Sequence, residues 1–498
     1  MQNTNKFYNL MSLAVIGIIA LPVGIANVIL GYILKDSPCT SCWALRIMMI
    51  VIALCALFIV RYGLKFKYVA LMLLAAAYGI WNAFWHFGIY ATLDVGQGQA
   101  LMIFGLHTQI WAGIVMWAVI VIFALILLFC APSFSSLSAT TTERKLNKID
   151  KVAFVVFFVI VASNAFQALV MVGPPPFTGA DSPTRFTLNP KYISWNSALG
   201  NLFSDPSLRG AMGVDKPDLA GKSSNFAFDH KAQNSPLNIN KALNIASKTE
   251  LNLDLNSPIS AISYDEKTQK FAIATQDWGL YLADKNLKTI SNHFVLDHLY
   301  FPTVLNFVGV DFMGDNIKVM GYNKAFITVK QDDKADEVAG FADFYEGGDK
   351  FSKVARDNLV TTRSKTSYIA SFVADEKYSY AITVPDNLQK SFILIKQLNA
   401  DDKISAEIIP ELASNVTLKD KRELGELYIT AMAIKDGMIY AASKNYNTIV
   451  VIDTKTDEIV EAYSYPEVIV NLRGLEFVDG VLKAVSYQNG KNIMFELK

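Results

Sequence analysis

Two of the four cysteines form the sequence Cys39-Thr40-Ser41-Cys42. Two thiols at this spacing can close a disulfide and exchange it with another thiol pair, which is the chemistry of a dithiol redox couple. Disulfides persist in an oxidising compartment, so this interpretation requires that the pair lies outside the cytoplasm. The motif stands at the mouth of a long apolar run, and its location therefore depends on how the chain crosses the membrane.

Three other interpretations of the motif compete with redox activity. Covalent haem attachment needs a histidine directly after the second cysteine, and Trp43 stands there. A structural zinc site needs two more ligands, and the nearby loops contain no second Cys-x-x-Cys. A purely structural disulfide remains open, although so short a loop restrains little of the unfolded chain. Position and spacing favour a redox pair.

The residues around the pair predict a stabilised thiolate. Pro38 is typical of a helix start, which places Cys39 and Cys42 in the first turn of a helix, where the dipole and free N–H groups favour an anion. Arg46 follows Cys42 by four residues and Cys39 by seven, so the three side chains share one helical stripe. Arg46 either anchors the helix at lipid headgroups or stabilises a thiolate or a reduced cofactor anion.

A cysteine pair at a lipid interface can pass electrons to a quinone, which diffuses in the bilayer. To reoxidise a strongly oxidising soluble dithiol, with a potential near about −120 mV, the acceptor must be at least as oxidising. His86 ends the third apolar run beside Trp81 and Trp85, and His107 opens the fourth beside Trp111. Both histidines are candidates for a quinone pocket, and the alternative is that they belong to an interfacial aromatic belt.

The other two cysteines do not fit this couple. Cys55 lies in the middle of the second apolar run and Cys130 at the far end of the fourth. Their depth in the membrane separates both from Cys39, so they are predicted to be buried or reduced thiols.

The apolar runs have the length that a bilayer sets, about 20 residues for a hydrocarbon core of about 30 Å. The first run follows Lys6 and resembles a signal peptide, but it is longer than a typical h-region and no Ala-x-Ala site follows, so it is interpreted as an anchor. An odd number of spans places the two ends of the chain on opposite sides. The five predicted spans are Leu10–Leu34, Ala44–Val60, Tyr68–Phe87, Thr108–Phe129 and Val152–Val172.

The charges predict the orientation of these spans. The chain is 52% hydrophobic and 18% charged, with 45 basic and 45 acidic residues, which disfavours a polybasic nucleic-acid binder. Eight Lys and Arg residues near span ends fall on one side, and only Lys35 and Arg46 on the other. The first side is therefore cytoplasmic, and the chain after Val172 is exported, in a bacterium to the periplasm. The eight are Lys6, Arg61, Lys65, Lys67, Arg144, Lys145, Lys148 and Lys151.

The exported part begins with an irregular polar stretch, 173–248, and continues as an all-β region, 249–498. Segments of β-branched and aromatic residues alternate there with turn signals, in units of four strands spaced 42–63 residues apart. This spacing suits a β-propeller of about five blades, and a β-sandwich or an irregular β-domain is the alternative. The last unit has room for three strands, and Glu250–Leu255 is predicted to add the fourth and close the ring. The clearest strands are Ile259–Tyr264, Phe271–Thr275, Gly279–Ala283, Ile429–Ile434, Met438–Ser443, Thr448–Asp453 and Glu458–Tyr463.

The exported sequence shows no catalytic motif. It contains no cysteine, no Gly-x-Ser-x-Gly and no phosphate-binding glycine-rich loop. His230, His293 and His298 are scattered, and the spacing of the last two is a weak metal signal. All three are predicted to be ordinary surface or core residues.

The chain resembles the DsbB-type disulfide bond formation proteins, specifically the DsbI-like branch that carries an exported β-propeller. The resemblance rests on Pro38-Cys39-x-x-Cys42-x-x-x-Arg46 after one span, on His86 after the third span, and on four spans joined by short loops. It covers 1–130 as a four-helix membrane redox core, followed by 131–172 as a cytoplasmic loop and a fifth transmembrane helix.

The resemblance implies an inner-membrane thiol:quinone oxidoreductase that reoxidises a periplasmic DsbA-like partner of thioredoxin fold. The electrons would pass to ubiquinone or menaquinone. By position, Cys42 faces the quinone, Cys39 is its disulfide partner, and Arg46 and His86 are quinone-side groups. The N-terminus is then cytoplasmic, and the periplasmic propeller is available to hold the partner or a further protein.

One departure from the family pattern affects the mechanism. DsbB proteins usually carry a second cysteine pair in the second exported loop, and Gly88 to His107 contains no cysteine. Either the partner's thiolate attacks the Cys39–Cys42 disulfide directly, or another protein supplies the relay pair. Two other functions stay open: a membrane-anchored propeller scaffold with a lost redox activity, and a conduit that carries reducing equivalents outward. The lack of an evident cysteine pair on the cytoplasmic side disfavours the conduit.

Overall fold

The computed structural model describes residues 2–33, 38, 40–94, 102–130, 143–172, 229–296, 304–332, 345–346, 351–361, 363–365, 367–385 and 391–498. The described residues form two compact units. One unit contains the residues up to Val172 and the other those from Asp229, and each is described by itself.

The first unit is a bundle of long apolar helices. Within the described residues, five stretches are long and apolar enough to cross a membrane, which confirms the five predicted spans. The stretches are Asn5–Ile33, Ser41–Tyr62, Phe66–Gly88, Ile110–Phe129 and Lys148–Val170. The helices themselves are α1 (Gln2–Ile18), α2 (Thr40–Tyr62), α3 (Phe66–Asp94), α4 (Thr108–Cys130) and α5 (Lys148–Val172).

The first span changes its helical geometry half-way. After α1 the chain continues as π-helix over Ile19–Val23 and Ile25–Ile33. Pro22 lies inside the first π segment and has no N–H to donate, which interrupts the regular α-helical hydrogen bonds. Asn27 and Gly31 are the buried residues of the second segment. This half of the span therefore presents an amide and a glycine to the bundle interior.

Buried polar contacts tie α5 to the other helices. Asp150 is fully buried and accepts hydrogen bonds from Ser12 Oγ at 2.8 Å and from the backbone N–H of Asn147 at 2.8 Å. It also pairs with Arg144, whose Nε donates to the carbonyl of Val60 at 2.8 Å. Breaking a buried ion pair typically costs about 3–5 kcal/mol, so α5 is an integral part of the bundle.

A short hairpin precedes α4. Its strands are β1 (Met102–Ile103) and β2 (Leu106–His107). Phe104 and Gly105 at the turn have φ values of 51° and 75°, and two consecutive positive φ angles are typical of a type I′ turn. Trp111 Nε1 donates to the carbonyl of Ile103 at 2.8 Å, which holds the hairpin against the first turn of α4.

The second unit is a five-bladed β-propeller, as the sequence predicts. Each blade is an antiparallel sheet of four main strands, and every strand predicted above within blades 1 and 4 is correct to within one residue. Blade 1 contains β5 (Ile259–Asp265), β6 (Lys270–Thr275), β7 (Gly279–Asp284) and β8 (Ile290–Leu296). Blade 2 contains β9 (Phe307–Met313), β10 (Asn316–Gly321), β11 (Ala325–Gln331) and β13 (Phe351–Asn358).

The remaining blades have the same antiparallel order. Blade 3 contains β14 (Ile369–Ala374), β15 (Tyr378–Thr383), β16 (Leu394–Leu398) and β17 (Ile404–Ile408). Blade 4 contains β19 (Ile429–Lys435), β20 (Met438–Ser443), β21 (Thr448–Asp453) and β22 (Glu458–Ser464). Blade 5 contains β23 (Leu472–Val478), β24 (Val481–Gln488), β25 (Lys491–Leu497) and, from the beginning of the unit, β4 (Ile245–Leu251).

Short strands extend two of the blades. β12 (Tyr345–Glu346) pairs with β8, while β3 (Lys241–Ala242) and β18 (Glu411–Leu412) both pair with β22 in parallel. The residues from Asp229 that precede β3 also pack on this unit. They include a 3₁₀ turn at Ala232–Asn234, and Leu237 is fully buried in a cluster with blades 3 and 4.

Blade 5 closes the ring because β4 pairs with β25 in antiparallel register. The predicted closing strand, Glu250–Leu255, is therefore wrong in position, since the strand begins earlier and ends at Leu251. The alternation of Leu251, Leu253 and Leu255 imitates a strand. After Leu251, however, the leucines leave the sheet edge and pack against a buried cluster formed by blades 1 and 5.

The inner strands of the blades share a small residue at their third position. A Cβ at Gly309 would overlap the Cβ of Phe372 in blade 3, and a Cβ at Gly474 would lie 2.9 Å from Ile262 Cγ1 in blade 1. Adjacent blades thus approach too closely for a larger side chain. The five residues at this position are Ala261, Gly309, Ser371, Ala431 and Gly474.

Candidate redox site

The cysteine motif lies where α2 begins. Pro38 precedes the helix, α2 starts at Thr40, and Cys42 is its third residue and half-buried. The predicted position of Cys42 in the first turn of the second span is confirmed. Cys39 lies outside the described residues, so its pairing with Cys42 stays a prediction.

A side chain of α3 holds this first turn. Asn82 is buried, and its Nδ2 donates to the carbonyl of Ser41 at 3.1 Å. His86 follows Asn82 by four residues, so both lie on one face of α3, about 6 Å apart along the axis. The face of α3 that carries His86 is therefore the one that meets the start of α2.

His86 and its tryptophan neighbours point in different directions. Trp81 and Trp85 stack on each other with ring centroids 5.7 Å apart, and each is more than half exposed. His86 is only 5% exposed. The two tryptophans fit an interfacial aromatic belt, whereas His86 lies within the bundle. His107, the other candidate, ends β2 and is half-buried.

Arg46 is buried inside the bundle, at 6% exposure. Its Nη1 donates to Gln167 Oε1 at 2.8 Å and to Asn164 Oδ1 at 3.3 Å, both on α5. Its Nη2 donates to the carbonyl of Ala26 in the first span at 2.7 Å. The guanidinium also lies over the Trp43 ring, 5.0 Å from its centroid. This burial is the opposite of what lipid-headgroup anchoring requires.

Arg46 belongs to a cluster of polar side chains in the half of the bundle that contains the start of α2, here named the intramembrane polar cluster. Asn27 Nδ2 donates to Gln167 Oε1 at 2.9 Å, and Ser163 Oγ donates to Asn27 Oδ1 at 2.6 Å. Polar groups at this depth are costly and mark functional positions. The cluster consists of Asn27, Tyr32, Arg46, Ser163, Asn164 and Gln167.

The sequence prediction missed Asn82 and the α5 members of this cluster. A signal was available in both places, since Asn82 interrupts an apolar run four residues before His86. Asn164 and Gln167 stand three residues apart in an otherwise apolar helix, which places both amides on one face.

A cavity of about 370 Å³ lies between α3 and α4. Its lining is apolar and includes Ala83 and Phe87, which flank His86 along α3, together with Gly113 and Trp117 of α4. Ligand pockets typically have volumes of about 300–1,000 Å³. The cavity is therefore suited to an apolar group, and its lining does not include His86.

The remaining candidate residues lie apart from Cys42. Cys55 is buried, thirteen residues further along α2, which is about 20 Å at the helical rise. Cys130 is the last residue of α4. In the propeller, His293 stacks on Tyr281 with ring centroids 5.5 Å apart, while His298 lies outside the described residues. The described parts of the chain contain no group of three or more His, Cys, Asp or Glu side chains suited to a metal ion.

Residues 8–98 match the family model of the disulfide bond formation protein DsbB. These residues form a DsbB-family domain. The match includes Cys39, Cys42, Arg46 and His86, and it ends before α4 and α5. A DsbB-family domain followed by a five-bladed propeller confirms the resemblance drawn from the sequence. The domain and the five apolar helices indicate a multi-pass membrane protein that carries a domain of the disulfide-formation type. Proteins of the DsbB family are generally quinone-linked.

Comparison with solved structures adds low-scoring matches. Glutaminyl cyclase from Myxococcus xanthus matches over 52% of this chain and 97% of its own, with 9% identity and a TM-score of 0.36. The β-propeller domain of Cps50 (Swd1) from Myceliophteria thermophila matches over 49% and 69%, with 10% identity and a TM-score of 0.29. Neither score is high enough to carry an argument. No curated protein matches the chain.

Proposed function

We propose that the protein is an inner-membrane thiol:quinone oxidoreductase that promotes disulfide bond formation through the Cys39–Cys42 disulfide. The observation that carries the proposal is the DsbB-family match, which spans both cysteines, with Cys42 in the first turn of α2. The buried Arg46 one turn after Cys42 supports it, because a cation near a thiolate favours the charged form.

The first half-reaction oxidises a DsbA-like partner in the periplasm. One thiolate of the partner attacks the Cys39–Cys42 disulfide and forms a mixed disulfide with Cys39, which releases Cys42 as a thiolate. The second thiol of the partner then displaces Cys39. The partner loses two electrons and two protons and forms its disulfide, while Cys39 and Cys42 gain them as a dithiol.

The second half-reaction regenerates the disulfide. A bound quinone supplies a sink for two electrons and two protons. The first turn of α2 stabilises the Cys42 thiolate through its free N–H groups. Arg46 and His86 are the quinone-side groups: Arg46 favours negative charge near Cys42, and His86 can donate a hydrogen bond or a proton. The apolar cavity between α3 and α4 is available to the lipophilic part of a quinone.

The sequence lacks the second cysteine pair of other DsbB proteins, since Gly88 to His107 contains no cysteine. Direct attack by the partner is the simpler route, because it needs no further protein. It requires that Cys39–Cys42 is at least as oxidising as the partner, since each 30 mV uphill costs about 1.4 kcal/mol.

We also propose the organisation predicted from the charges. The N-terminus lies in the cytoplasm, 1–130 is the redox core, and 131–172 adds a cytoplasmic loop and the fifth helix. The linker that follows is shorter than the predicted 173–248, because the residues from Asp229, with β3 and β4, pack on the periplasmic propeller together with 249–498. The propeller serves as a docking platform that keeps the thiol partner or a further protein near the membrane.

The test is quinone reduction by purified full-length protein supplied with a reduced DsbA-like partner. Turnover is expected with ubiquinone or menaquinone and is lost in both Cys39→Ala and Cys42→Ser. Supplied instead with the oxidised partner, Cys42→Ser should trap a mixed disulfide, because the Cys39 thiolate attacks the partner's disulfide and Cys42 is not there to displace the partner from Cys39. Absence of turnover in the intact protein, with several partners and both quinones supplied, contradicts the proposal and favours the scaffold function.

A further inference from the structure

We infer that Gln167 of α5 is a positioning residue that fixes the guanidinium of Arg46 beside the cysteine pair. The fifth helix would then be a working part of the redox unit. This inference rests on the proposed function, since it assigns a role within the same site. It extends that function to a helix outside the family match, which ends at residue 98.

The contacts of Gln167 fix its own orientation. Its side chain is fully buried, and Oε1 accepts from Arg46 Nη1 at 2.8 Å and from Asn27 Nδ2 at 2.9 Å. Two donors meet at one amide oxygen, so the oxygen must face α2 and the first span. Asn27 is held in turn by Ser163 Oγ at 2.6 Å. The position of Arg46 is thus coupled to three helices.

Gly31 provides the space for this amide. A Cβ at Gly31 would overlap the Nε2, the Cδ and the Oε1 of Gln167. Gly31 belongs to the π-helical half of the first span, whose buried residues are Asn27 and Gly31. The same π segment therefore supplies a hydrogen-bond donor to Gln167 and the gap in which it fits.

The acceptors that hold Arg46 are compatible with an electrostatic effect of its guanidinium on the cysteine pair. Gln167 Oε1, Asn164 Oδ1 and the carbonyl of Ala26 are neutral oxygens, so these hydrogen bonds hold the guanidinium without cancelling its charge. Cys42 lies one helical turn away on the same stripe of α2. A cation fixed there stabilises the thiolate form of the pair.

The experiment uses full-length protein with Cys55→Ala and Cys130→Ser, so that Cys39 and Cys42 are the only thiols that can be alkylated or oxidised. Two quantities are measured: the pH at which alkylation of the reduced pair is half-maximal, and the thiol–disulfide equilibrium constant against glutathione. Gln167→Met keeps the volume and removes the oxygen. We expect a higher thiol pKa and an equilibrium shifted about tenfold toward the disulfide, which corresponds to about 30 mV.

A double-mutant cycle shows whether Gln167 acts through Arg46. In an Arg46→Gln background, Gln167→Met should cause no further shift in either quantity. An equal shift in both backgrounds contradicts the inference. Gln167→Glu is a second test, since it keeps an accepting oxygen but adds a negative charge. The carboxylate should offset the charge of Arg46 and move both quantities in the same direction as Gln167→Met does.

Asp150→Asn is the matched control. It breaks the contact between the other end of α5 and Ser12 and Arg144. It should lower the thermal stability of the bundle without changing the thiol pKa. Equal shifts in Asp150→Asn and Gln167→Met would assign the effect to loose helix packing and overturn the inference. Neither readout requires quinone, so a protein that fails to reduce quinone contradicts the proposed function alone.

Discussion

In the helix bundle the buried cation Arg46 lies one turn from Cys42 and contacts two other helices, whereas the propeller places buried charges between its blades, in a region whose sequence contains no cysteine. Asp311, for example, is 6% exposed, and the half-buried Glu476 occupies the same position of the inner strand of blade 5 as Asp311 does in blade 2. The comparison teaches that burial of a charge does not by itself mark a reactive site. A neighbouring nucleophile is what distinguishes the bundle.

The propeller satisfies its buried carboxylates mainly with backbone groups. Asp311 accepts a hydrogen bond from Ser263 Oγ in blade 1 and from the N–H of Ala374 in blade 3, the latter at 2.6 Å. Glu476 accepts from the N–H of Phe477 at 2.7 Å and of Tyr264 in blade 1 at 3.1 Å. These carboxylates join neighbouring blades. Variants at Gly309 and Arg46 test whether the propeller and the bundle are independent. Variants at Asp311 and Asn82 test the polar groups within each unit.

The largest expected effect is on the propeller. Gly309→Leu places a side chain where even a Cβ overlaps Phe372, so it should destabilise the propeller by about 3 kcal/mol. Thermal unfolding and protease resistance of the propeller measure the loss. Gly314→Asn is the control, because Gly314 has open space around it and a positive φ that Asn tolerates. A change in the thiol pKa of the bundle in Gly309→Leu would show that the two units are not independent.

The next effect is on the bundle. Arg46→Gln removes the buried cation and should reduce quinone-linked turnover about 100-fold, the usual magnitude for loss of one electrostatic group at a reacting centre. The unfolding temperature of the propeller should stay the same. Initial rates with a reduced partner, compared with Lys65→Gln on the opposite side of the membrane, measure the effect. Equal losses in both variants would show that Arg46 acts through the net charge of the bundle and not through its position next to Cys42.

A smaller effect concerns pH. Burial raises the pKa of Asp311 to about 6, and burial together with repulsion by Asp311 raises the pKa of Glu476 well above its usual range. At these two carboxyls the folded state therefore binds protons more tightly than the unfolded state does. Their contribution to propeller stability is fully present below about pH 4 and is lost as pH rises through 6. For Asp311 the loss is about 2–3 kcal/mol.

Asp311→Asn should reduce the dependence of the free energy of unfolding on pH, whatever its effect on stability at a single pH. Chemical denaturation at intervals between pH 4 and 8 measures the slope, and Glu467→Gln, at an exposed residue, is the control. A wild-type slope in Asp311→Asn would show that the carboxylate is not shifted by its surroundings.

The smallest expected effect is at the start of α2. Asn82→Leu removes the hydrogen bond to the carbonyl of Ser41 and should cost about 1 kcal/mol. The looser first turn stabilises a thiolate less well, so the thiol pKa of the cysteine pair should rise. Alkylation rates across pH measure it, and Asn82→Asp, which cannot donate, should behave like Asn82→Leu. Wild-type behaviour in both would show that the first turn is held by other contacts.

The elements of both units were predictable because each carries a local signal. The spans follow from apolar length, and strands such as Met438–Ser443 and Thr448–Asp453 follow from β-branched residues between turns. The position of β4 was not predictable, since its sequence is largely polar and becomes a strand only through pairing with β25. The alternating leucines after it gave the stronger local signal and led to the wrong segment.

The redox site likewise contains residues that a local sequence pattern predicts and contacts that it does not. The types and spacing of Cys39, Cys42, Arg46 and His86 pointed to thiol chemistry at one end of a span. The contact between Arg46 and Gln167 joins residues far apart in sequence, and no local pattern reports which faces of two apolar helices meet. The small residue shared by the inner strands is similar, because it reflects the packing of one blade on the next.

The pairing of β4 with β25, with Ile245 opposite Leu497, has a consequence for biosynthesis. β4 cannot pair until β25 has been synthesised, roughly 10–50 s later at a synthesis rate of 5–20 residues per second. During synthesis the growing ring therefore carries an open edge that can pair with other chains. A chain that stops before Lys491 keeps that edge permanently, so ring closure reports that the whole propeller has been made.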